Sequence, residues 1–402
     1  DWSATSCAVP PAILYCDARA TAEAREMASL AGGEEAVIAA TGMRQGPTSV
    51  LAKLLWLQRH RPHALKEASS LLLGAHAYVC SHLIGRPARV VDCTTLSTTG
   101  LATCPSTTGI SYAADLLHSL GLSHWLPLLP EILPPTQPCG TLSVEAAERM
   151  GARHLAGIPV FHSCGDLGAS AVGCGSGIPG MEYIYLGTSG WVAGSFPLHL
   201  PFQPATQPPN PPSTQPPPLA AQPLASGQPP SWSQGVFTLA HPDPSLVFRT
   251  APIMTAGGNL KWAISNLLSS SGSTDVAESA FQNADMAAAS VPAGSGGLLY
   301  LPFLNGERCP FEDPNMRATF IGISASTTQA HMIRAVQEGV AYALLSAHTA
   351  MHTHSGGKGS SNPSALRFVG GGARSSTWVR IMASVFNRPI DCLADSQVNG
   401  HV

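Results

Sequence analysis

One carboxylate, Asp166, lies in a run of small residues and could take part in acid–base chemistry. Gly165 precedes it, and residues 167–172 have the composition of a short helix that packs closely against its neighbours. A carboxylate at a helix N-terminus is stabilised by the helix dipole, and it can act as a general base toward a hydroxyl group. The alternative is that Asp166 only caps this helix.

A glycine-rich β-hairpin is predicted about twenty residues further along the chain. Glu182–Leu186 has the composition of a strand, residues 187–190 that of a tight turn, and residues 191–194 that of the returning strand. Backbone amides and hydroxyl groups at such a turn can bind a phosphate. A base and a phosphate site in one chain indicate phosphoryl transfer, and a turn that binds nothing is the alternative.

A second glycine turn is predicted near the C-terminal end of the sequence. Leu366–Val369 reads as a strand, three glycines follow at 370–372, and a helix is predicted over residues 375–386. Glycines let a ligand approach the backbone, and a helix N-terminus favours anions. This pattern predicts a nucleotide contact, although many turns between strands and helices carry glycines for packing.

Three other patterns are weaker as signs of function. A Gly-x-Gly-x-x-Gly spacing at residues 175–180 contains a proline and precedes a strand, so we reject it as a dinucleotide site. Ser189 lacks the GxSxG sequence of a serine hydrolase. Glu307 and Arg308 could clamp a substrate or form an ion pair that holds their own loop.

A histidine cluster is the remaining candidate for metal binding. His348 and His352 are one helical turn apart, and His354 follows. No carboxylate or cysteine joins them in the sequence, so a solvated helix end is the preferred interpretation and no metal ligand is predicted.

Length and composition favour two domains and exclude some partners. The chain has 402 residues, 44% hydrophobic and 11% charged, with a net charge of −3. No basic run indicates nucleic-acid binding, and no apolar run is long enough to span a membrane. The ten cysteines include no CxxC pair, which favours reduced thiols and an intracellular, cytoplasmic protein; an organelle stays open.

Periodicity predicts the elements that position these residues. The predicted helices cover 21–30, 49–60 (stopped by Pro62), 64–84, 144–150, a segment opening at 257–262, and 329–349. The predicted strands cover 12–15 and 297–304, and residues 90–100 are predicted as strand or loop. Twelve of the thirty residues from 201 to 230 are proline, which predicts a disordered or polyproline insertion at about 199–232.

Taken together, these segments resemble the FGGY family of carbohydrate kinases, and most of all its xylulokinase-type branch. The C-terminal resemblance rests on LYLPFLNGERCPFEDPNMRATFIGI, RAVQEGVAYAL and LRFVGGGARSSTWVRIMASVFNRPI. The N-terminal resemblance rests on ILYCDARA, KLLWLQRHRP, VVDCTTLSTTGL and GIPVFHSCGDLGASAVGCG. It implies an α/β chain with two ribonuclease-H-like (actin-like ATPase) domains around a cleft, divided into residues 1–178 (sugar-binding) and 179–402 (nucleotide-binding).

The resemblance also implies roles for individual residues. Asp166 would be the base that accepts the proton of the sugar hydroxyl group. The phosphate loop would consist of Gly187, Thr188 and Ser189. The nucleotide site would be lined by Gly258, Gly371, Gly372 and Ser376. A turn beside the sugar pocket would carry Asp17 and Arg19.

The implied function is ATP- and Mg²⁺-dependent phosphorylation of a ketopentose such as D-xylulose, with D-ribulose or another polyol as alternatives. A small-molecule sugar is the expected partner, and a homodimer stays open. The family's opening D-x-G-T segment does not precede Asp1, and its closing segment, near Asn399, is also missing, so we expect an incomplete first domain and weak or absent catalysis. A non-catalytic sugar- or nucleotide-binding relative, and a scaffold acting through the proline-rich insertion, are the alternative functions.

Overall fold

A computed structural model describes residues 12–14, 17–198, 235–268, 277–311, 313, 315–353 and 365–393. The predicted proline-rich insertion, His354 and Tyr15 lie outside these ranges. The chain divides into two compact units. The first consists of Asp1–Val172, Ser195–Leu198 and Phe237–Phe248, and the second of Gly173–Gly194, His199–Val236 and Arg249–Val402. The domain boundary at residue 178 stays a prediction.

The helices and strands are numbered in chain order. The helices are α1 Thr21–Leu30, α2 Glu34–Thr41, α3 Val50–His60, α4 Pro62–Glu67, α5 Ala75–Ile84, α6 Cys93–Ser97, α7 Ala114–Ser119, α8 Val144–Arg149, α9 Asp166–Gly173, α10 Gly257–Ala263, α11 Glu278–Ala289, α12 Gln329–Thr353 and α13 Ser376–Phe386. The strands are β1 Val90–Val91, β2 Glu131–Ile132, β3 Pro138–Thr141, β4 Pro159–Phe161, β5 Glu182–Leu186, β6 Gly190–Pro197, β7 Phe237–Ala240, β8 Leu246–Ile253, β9 Leu299–Leu301, β10 Thr319–Ile321, β11 Leu366–Val369 and β12 Ile390–Cys392.

Helices dominate the described part of the first unit. Its main apolar core contains Met27, Leu51, Leu54, Leu55, Leu73, Leu96, Leu101, Leu117, Leu122 and Trp125. Short strands flank these helices in two pairs, β1 with β2 in parallel and β3 with β4 antiparallel. Serine caps confirm two predicted helices, because Ser49 accepts the amide of Ala52 at the start of α3 and Ser143 accepts that of Ala146 at the start of α8.

The predicted helix over residues 64–84 is wrong. The chain forms α4 and α5 there, and α4 begins at Pro62, a residue suited to the first turn of a helix. Between the two helices the Leu71 amide donates to the Leu128 carbonyl, and Leu73 enters the core. Gly74 then adopts a φ of 91°, which favours glycine and starts α5 in a new direction.

Two other predictions in the first unit are also wrong. Residues 12–14 form no strand. The β-branched segment 90–100 contains only the two residues of β1 before it turns into α6. The reason is that Asp92 accepts the Thr95 amide at 2.9 Å and caps a helix, which outweighs the strand preference of the threonines.

A six-stranded sheet in the order β12–β11–β5–β6–β8–β7 contains the predicted hairpin. β5 and β6 are antiparallel, and their register ends with Leu186 opposite Gly190. β11 runs parallel to β5 and to β12 on its two sides. The predicted strands at 182–186 and 366–369 are therefore confirmed.

Helix α12 confirms the helix predicted over residues 329–349 and extends it to Thr353. Its apolar stripe of Ile333, Val336, Val340 and Leu344 is fully buried.

The predicted buried strand over 297–304 is wrong, because β9 covers three residues and pairs with β10 in a two-stranded sheet on which Leu299 is 55% exposed. No helix in the described ranges combines the length and apolar character that crossing a membrane requires.

Candidate functional site

Asp166 is the first residue of α9, and its side chain is exposed. Oδ1 accepts the amide of the adjacent residue, Leu167, at 2.8 Å. A capping carboxylate would instead accept an amide two or three residues further on. No other hydrogen bond or ion pair involves the Asp166 side chain within the described ranges, so its second oxygen can accept a proton from a bound molecule.

Small residues hold Asp166 in place. A Cβ atom added at Gly165 would lie 2.9 Å from the Thr95 hydroxyl oxygen, and one at Gly168 would lie 3.0 Å from the Cys164 sulfur. Ala171, about one helical turn after Gly168, has no exposed surface. The predicted close packing of this helix is therefore confirmed, and its composition is explained by the space available.

Asp17 and Arg19 form an ion pair with each other. Arg19 Nε lies 2.9 Å from both carboxylate oxygens of Asp17, and the Arg19 amide donates to Asp17 Oδ1. The hydrogen bond from the Arg19 side chain lowers the pKa of Asp17 to about 2. The Arg19 guanidinium also lies 4.9 Å from the Trp56 ring centroid. Within the described ranges no hydrogen bond or ion pair joins either residue to Asp166.

In the second unit, the hairpin turn leaves its hydrogen-bond donors available. Among the amides of residues 187–189, only that of Gly187 donates to a described residue, and it bonds to the Ser189 carbonyl at 3.0 Å. Thr188 and Ser189 are exposed, and in the described part of the chain neither their amides nor their hydroxyl groups donate a hydrogen bond. Free donors at an exposed turn are suited to an anion such as a phosphate.

The turn's carbonyl groups are bound by the start of α10. The Gly257 amide donates to the Gly187 carbonyl at 2.8 Å, and the Gly258 amide donates to that of Thr188 at 3.0 Å. The family resemblance implies a place for Gly258 in the nucleotide site, and in the structure the Gly258 amide is bonded to the hairpin. This hydrogen bond orients the turn, and the place of Gly258 in a nucleotide site stays a prediction.

The second glycine turn packs behind the hairpin, against Leu186 at the end of β5. A Cβ atom at Gly370 would lie 2.6 Å from the Leu186 carbonyl oxygen, and one at Gly372 would lie 2.6 Å from Leu186 Cδ2. A Cβ atom at Gly257 would lie 3.4 Å from the same methyl group. The structure thus brings the hairpin, the start of α10 and the glycine turn together around Leu186, a residue that was not predicted to take part in the site.

Gly371 and Ser376 are exposed and are not in this contact. A Cβ atom at Gly371 would meet nothing within 4 Å. The helix cap is Ser375, whose hydroxyl accepts the Trp378 amide at 2.9 Å and bonds to Asp285. No contact given by the structure joins Ser376 to the hairpin, so its place in a nucleotide site stays a prediction.

Glu307 and Arg308 do not form the ion pair that we considered. The buried Glu307 carboxylate accepts the amides of Met254 at 2.8 Å and Arg308 at 2.7 Å through Oε1. Burial raises the pKa of Glu307, and these backbone hydrogen bonds oppose the rise. The carboxylate therefore holds the backbone of its loop, and the Arg308 guanidinium lies beside the Met254 sulfur.

The histidines of α12 are not a solvated helix end, and this interpretation is corrected. Glu182 joins them, with His348 Nε2 3.3 Å from its Oε2 and His352 Nε2 bonded to its Oε1. Arg388 Nη1 also donates to Glu182 Oε2 at 2.6 Å. Burial works to raise the pKa of Glu182, but the hydrogen bonds from both histidines outweigh it and hold the pKa far below its ordinary value. The carboxylate was missed because it lies more than 150 residues away in the sequence.

Two family models match the chain. The N-terminal domain model of the FGGY family of carbohydrate kinases matches residues 2–173, and the C-terminal domain model of the same family matches residues 233–398. The two matched ranges fall in the order that the resemblance predicts and leave out the proline-rich insertion. Together they cover most of the chain.

Individual relatives agree with these matches. A xylulose kinase of Staphylococcus xylosus is 24% identical over 390 residues, which are 97% of this chain and 70% of that protein. A gluconokinase of Bacillus subtilis (strain 168) is 25% identical, covering 94% of this chain and 66% of that protein. The crystal structure of xylulose kinase from Rhodospirillum rubrum matches with a TM-score of 0.68 and 26% identity, covering 95% of this chain and 67% of that one. The chain thus spans about two thirds of the length of these relatives. The structural match confirms the predicted α/β class with two ribonuclease-H-like domains.

Proposed function

This chain belongs to the FGGY family of carbohydrate kinases, and from that premise we propose that it transfers a phosphoryl group from ATP to a hydroxyl group of a sugar. The observation that carries the proposal is Asp166, an exposed carboxylate held at the start of α9 by small residues, with one oxygen unengaged among the described contacts. A general base needs that combination of fixed position and free oxygen.

Asp166 is proposed to accept the proton of the attacking sugar hydroxyl group as its oxygen bonds to phosphorus. Phosphoryl transfer depends mostly on positioning and on neutralising the charge of the phosphate oxygens. Because the proton leaves as the new bond forms, the sugar oxygen becomes a better nucleophile without a free alkoxide in solution. Asp17 and Arg19 are proposed to bind sugar hydroxyl groups near by, with the ion pair fixing both side chains.

Thr188 and Ser189 are proposed to hold the phosphates of ATP. Their free amide and hydroxyl donors fit phosphate oxygens, and the amides of α10 fix the turn from the other side. ATP supplies the transferable phosphoryl group when it is bound. The turn offers no carboxylate, so Mg²⁺ is proposed to be held chiefly by phosphate oxygens, which it prefers as ligands. Gly371, Gly372 and Ser376 complete the proposed nucleotide site.

D-xylulose is the proposed substrate. The support for this particular sugar is weaker than the support for a sugar kinase in general. One relative named above is a xylulose kinase and another is a gluconokinase, both at about one quarter identity. D-ribulose and other polyols are the nearest alternatives. The substrate is therefore best decided by a direct comparison of ketoses, gluconate and glycerol.

The test is ADP release from ATP and Mg²⁺ by the purified chain, sugar by sugar. A ketopentose should give turnover, which we expect to be weak for this chain, and Asp166→Asn should lower it by at least about 10²-fold, because general base catalysis typically contributes 10²–10⁴-fold. The matched control is Asp115→Asn, since Asp115 is also an exposed aspartate at the start of a helix in the same unit.

Three results would contradict the proposal. Turnover retained by Asp166→Asn would remove the role of that residue. An equal loss in Asp115→Asn would point to a general effect of charge. A thermal shift with ATP but no ADP release with any sugar would favour a binding protein over a kinase.

A further inference from the structure

Three side chains of the first unit converge on one point that the proposed phosphoryl transfer does not use. His76 lies at the second position of α5, Asp92 is the cap of α6, and His162 directly follows β4. Asp92 and His162 are buried, whereas the His76 side chain is 28% exposed. The cluster therefore connects three separate elements and has one side open to solvent.

The distances in this cluster are longer than those of ordinary hydrogen bonds and suit a shared ion. His76 Nε2 lies 3.5 Å from Asp92 Oδ2, and His162 Nδ1 lies 3.8 Å from the same oxygen. All three ligand atoms lie within 4.8 Å of one another. At metal–ligand distances of about 2.0–2.2 Å, neighbouring ligand atoms of a tetrahedral ion are about 3.3–3.6 Å apart.

The buried polar atoms of the cluster are unsatisfied. Asp92 Oδ2 and both ring nitrogens of His162 make no hydrogen bond to any described residue. Asp92 Oδ1, in contrast, accepts the Thr95 amide, so the cap fixes the carboxylate with its other oxygen toward the imidazoles. Leaving such atoms buried and unpaired costs about 1–3 kcal/mol for each group, and one cation would satisfy Asp92 Oδ2 and the Nδ1 atom of His162 together.

We infer that His76, Asp92 and His162 form a binding site for one divalent transition-metal ion, with Zn²⁺ the ion that the site fits. Two imidazoles and a carboxylate are common ligands of Zn²⁺, whereas Mg²⁺ and Ca²⁺ prefer oxygen ligands alone. Three protein ligands leave a fourth position for water, which can enter beside the exposed edge of His76. The inference does not depend on the proposed function.

The ion would hold together the segment that leads to Asp166. His162 is four residues before Asp166, and the intervening Ser163 has a φ of 63°, which is uncommon for a residue other than glycine. The Thr95 hydroxyl lies 3.4 Å from His76 Nε2, and a Cβ atom at Gly165 would press against the same hydroxyl. A bound ion would therefore fix α5, the start of α6 and this segment relative to one another.

The second histidine cluster provides a natural comparison. Glu182 in that cluster already accepts hydrogen bonds from His348, His352 and Arg388. Its carboxylate is satisfied, and a cation there would lie beside the Arg388 guanidinium. We therefore expect no zinc affinity at Glu182, although the ligand types are the same.

The experiment is equilibrium dialysis of the chelator-treated full chain against ZnCl₂, with the visible spectrum of bound Co²⁺ as a second readout. We expect one ion per chain and a Co²⁺ spectrum of tetrahedral type. Asp92→Asn and His76→Gln should each weaken binding by at least about 100-fold, since even residues that only support a ligand are worth 10–100-fold. Asparagine keeps the cap of α6, so Asp92→Asn should fold. His352→Gln is the matched control and should bind as the wild type does.

Thermal melting with and without ZnCl₂ separates a lost site from a lost fold. A melting temperature that rises with Zn²⁺ in the wild type and in His352→Gln, but not in a folded Asp92→Asn, supports the inference. Zinc binding that is unchanged in Asp92→Asn and His76→Gln would overturn it. Absence of zinc binding in the wild type would also overturn it and leave a buried Asp–His cluster without metal.

Discussion

At the scale of the residue, the three glycines at 370–372 differ in what surrounds them. Gly370 has a φ of 93° and touches the Leu186 carbonyl, and Gly372 touches the Leu186 side chain. Gly371 has free space around its Cα atom. Gly370 and Gly372 are therefore required by packing against β5, whereas a side chain at Gly371 would meet open space.

Gly370→Ala is expected to destabilise the protein, and Gly371→Ala is the matched control. The backbone conformation at Gly370 alone costs about 1–3 kcal/mol for any other residue, and the new methyl group would also meet a backbone oxygen. At Gly371 the change should stay within about 0.5 kcal/mol. The midpoint of thermal unfolding measures both, and equal midpoints would contradict the close approach to Leu186.

At the scale of the element, a buried amide connects α10 to the end of β9. Asn259 is fully buried, and its side-chain amide donates to the carbonyl groups of Thr255 at 2.8 Å and Pro302 at 3.2 Å. Its oxygen accepts the Tyr300 hydroxyl at 2.9 Å. This network fixes α10, and the amides at the start of α10 hold the hairpin turn. The network therefore supports the proposed phosphate site indirectly, through α10.

Tyr300→Phe is expected to lower the free energy of unfolding by about 1–3 kcal/mol, because it leaves the buried Asn259 oxygen without a donor. Tyr342→Phe makes the same chemical change at a side chain that is 58% exposed, and it should stay within about 0.5 kcal/mol. Urea unfolding midpoints compare the two. A larger loss in Tyr342→Phe would show that the network does not carry the effect.

Local sequence patterns predicted the elements that obey local rules. The helices predicted over residues 49–60, 144–150 and 329–349 are encoded by local periodicity, and the structure confirms them. The helix capped by Asp92 was missed because one side-chain hydrogen bond outweighs the preference of several threonines. The break before α5 was missed because Leu73 leaves the helix to reach the core.

The candidate site was predictable only where it lies in one segment. Asp166 and the hairpin were recognised from their neighbours in the sequence. Leu186 contacts glycines from two distant segments, and Glu182 meets histidines from α12. These contacts form between residues far apart in the chain, so no local period or spacing encodes them.

At the scale of the whole molecule, a small number of charges makes each buried ion pair important. Only 11% of the residues are charged. Glu182, buried among two histidines and Arg388, holds together β5, α12 and the residues after α13. Its pKa lies below the ordinary 4.5, so at acidic pH the unfolded chain binds the extra proton first.

The stability that Glu182 contributes is therefore fully present above about pH 4.5 and lost as the pH falls through its lower folded-state pKa. Glu182→Gln should cost about 3–5 kcal/mol at neutral pH, because it removes the buried carboxylate that pairs with Arg388 and bonds to both histidines. It should also flatten the decline in unfolding free energy between about pH 5 and pH 3.

The control for this change is Glu148→Gln, which removes an exposed ion pair with Arg153. Its effect should stay within about 1 kcal/mol at neutral pH. Urea unfolding at a series of pH values measures both variants. An acid transition in Glu182→Gln as steep as in the wild type would assign the pH dependence to other groups.

The contacts of Leu186 also set an order of events during protein synthesis. The hairpin leaves the ribosome well before Gly370 and Gly372, which cover the end of β5. At synthesis rates of about 5–20 residues per second, the delay is on the order of ten to forty seconds. During that time the nascent chain exposes an apolar strand end to chaperones and to other nascent chains. A chain whose synthesis ends before residue 370 therefore has the hairpin but lacks the turn that covers it.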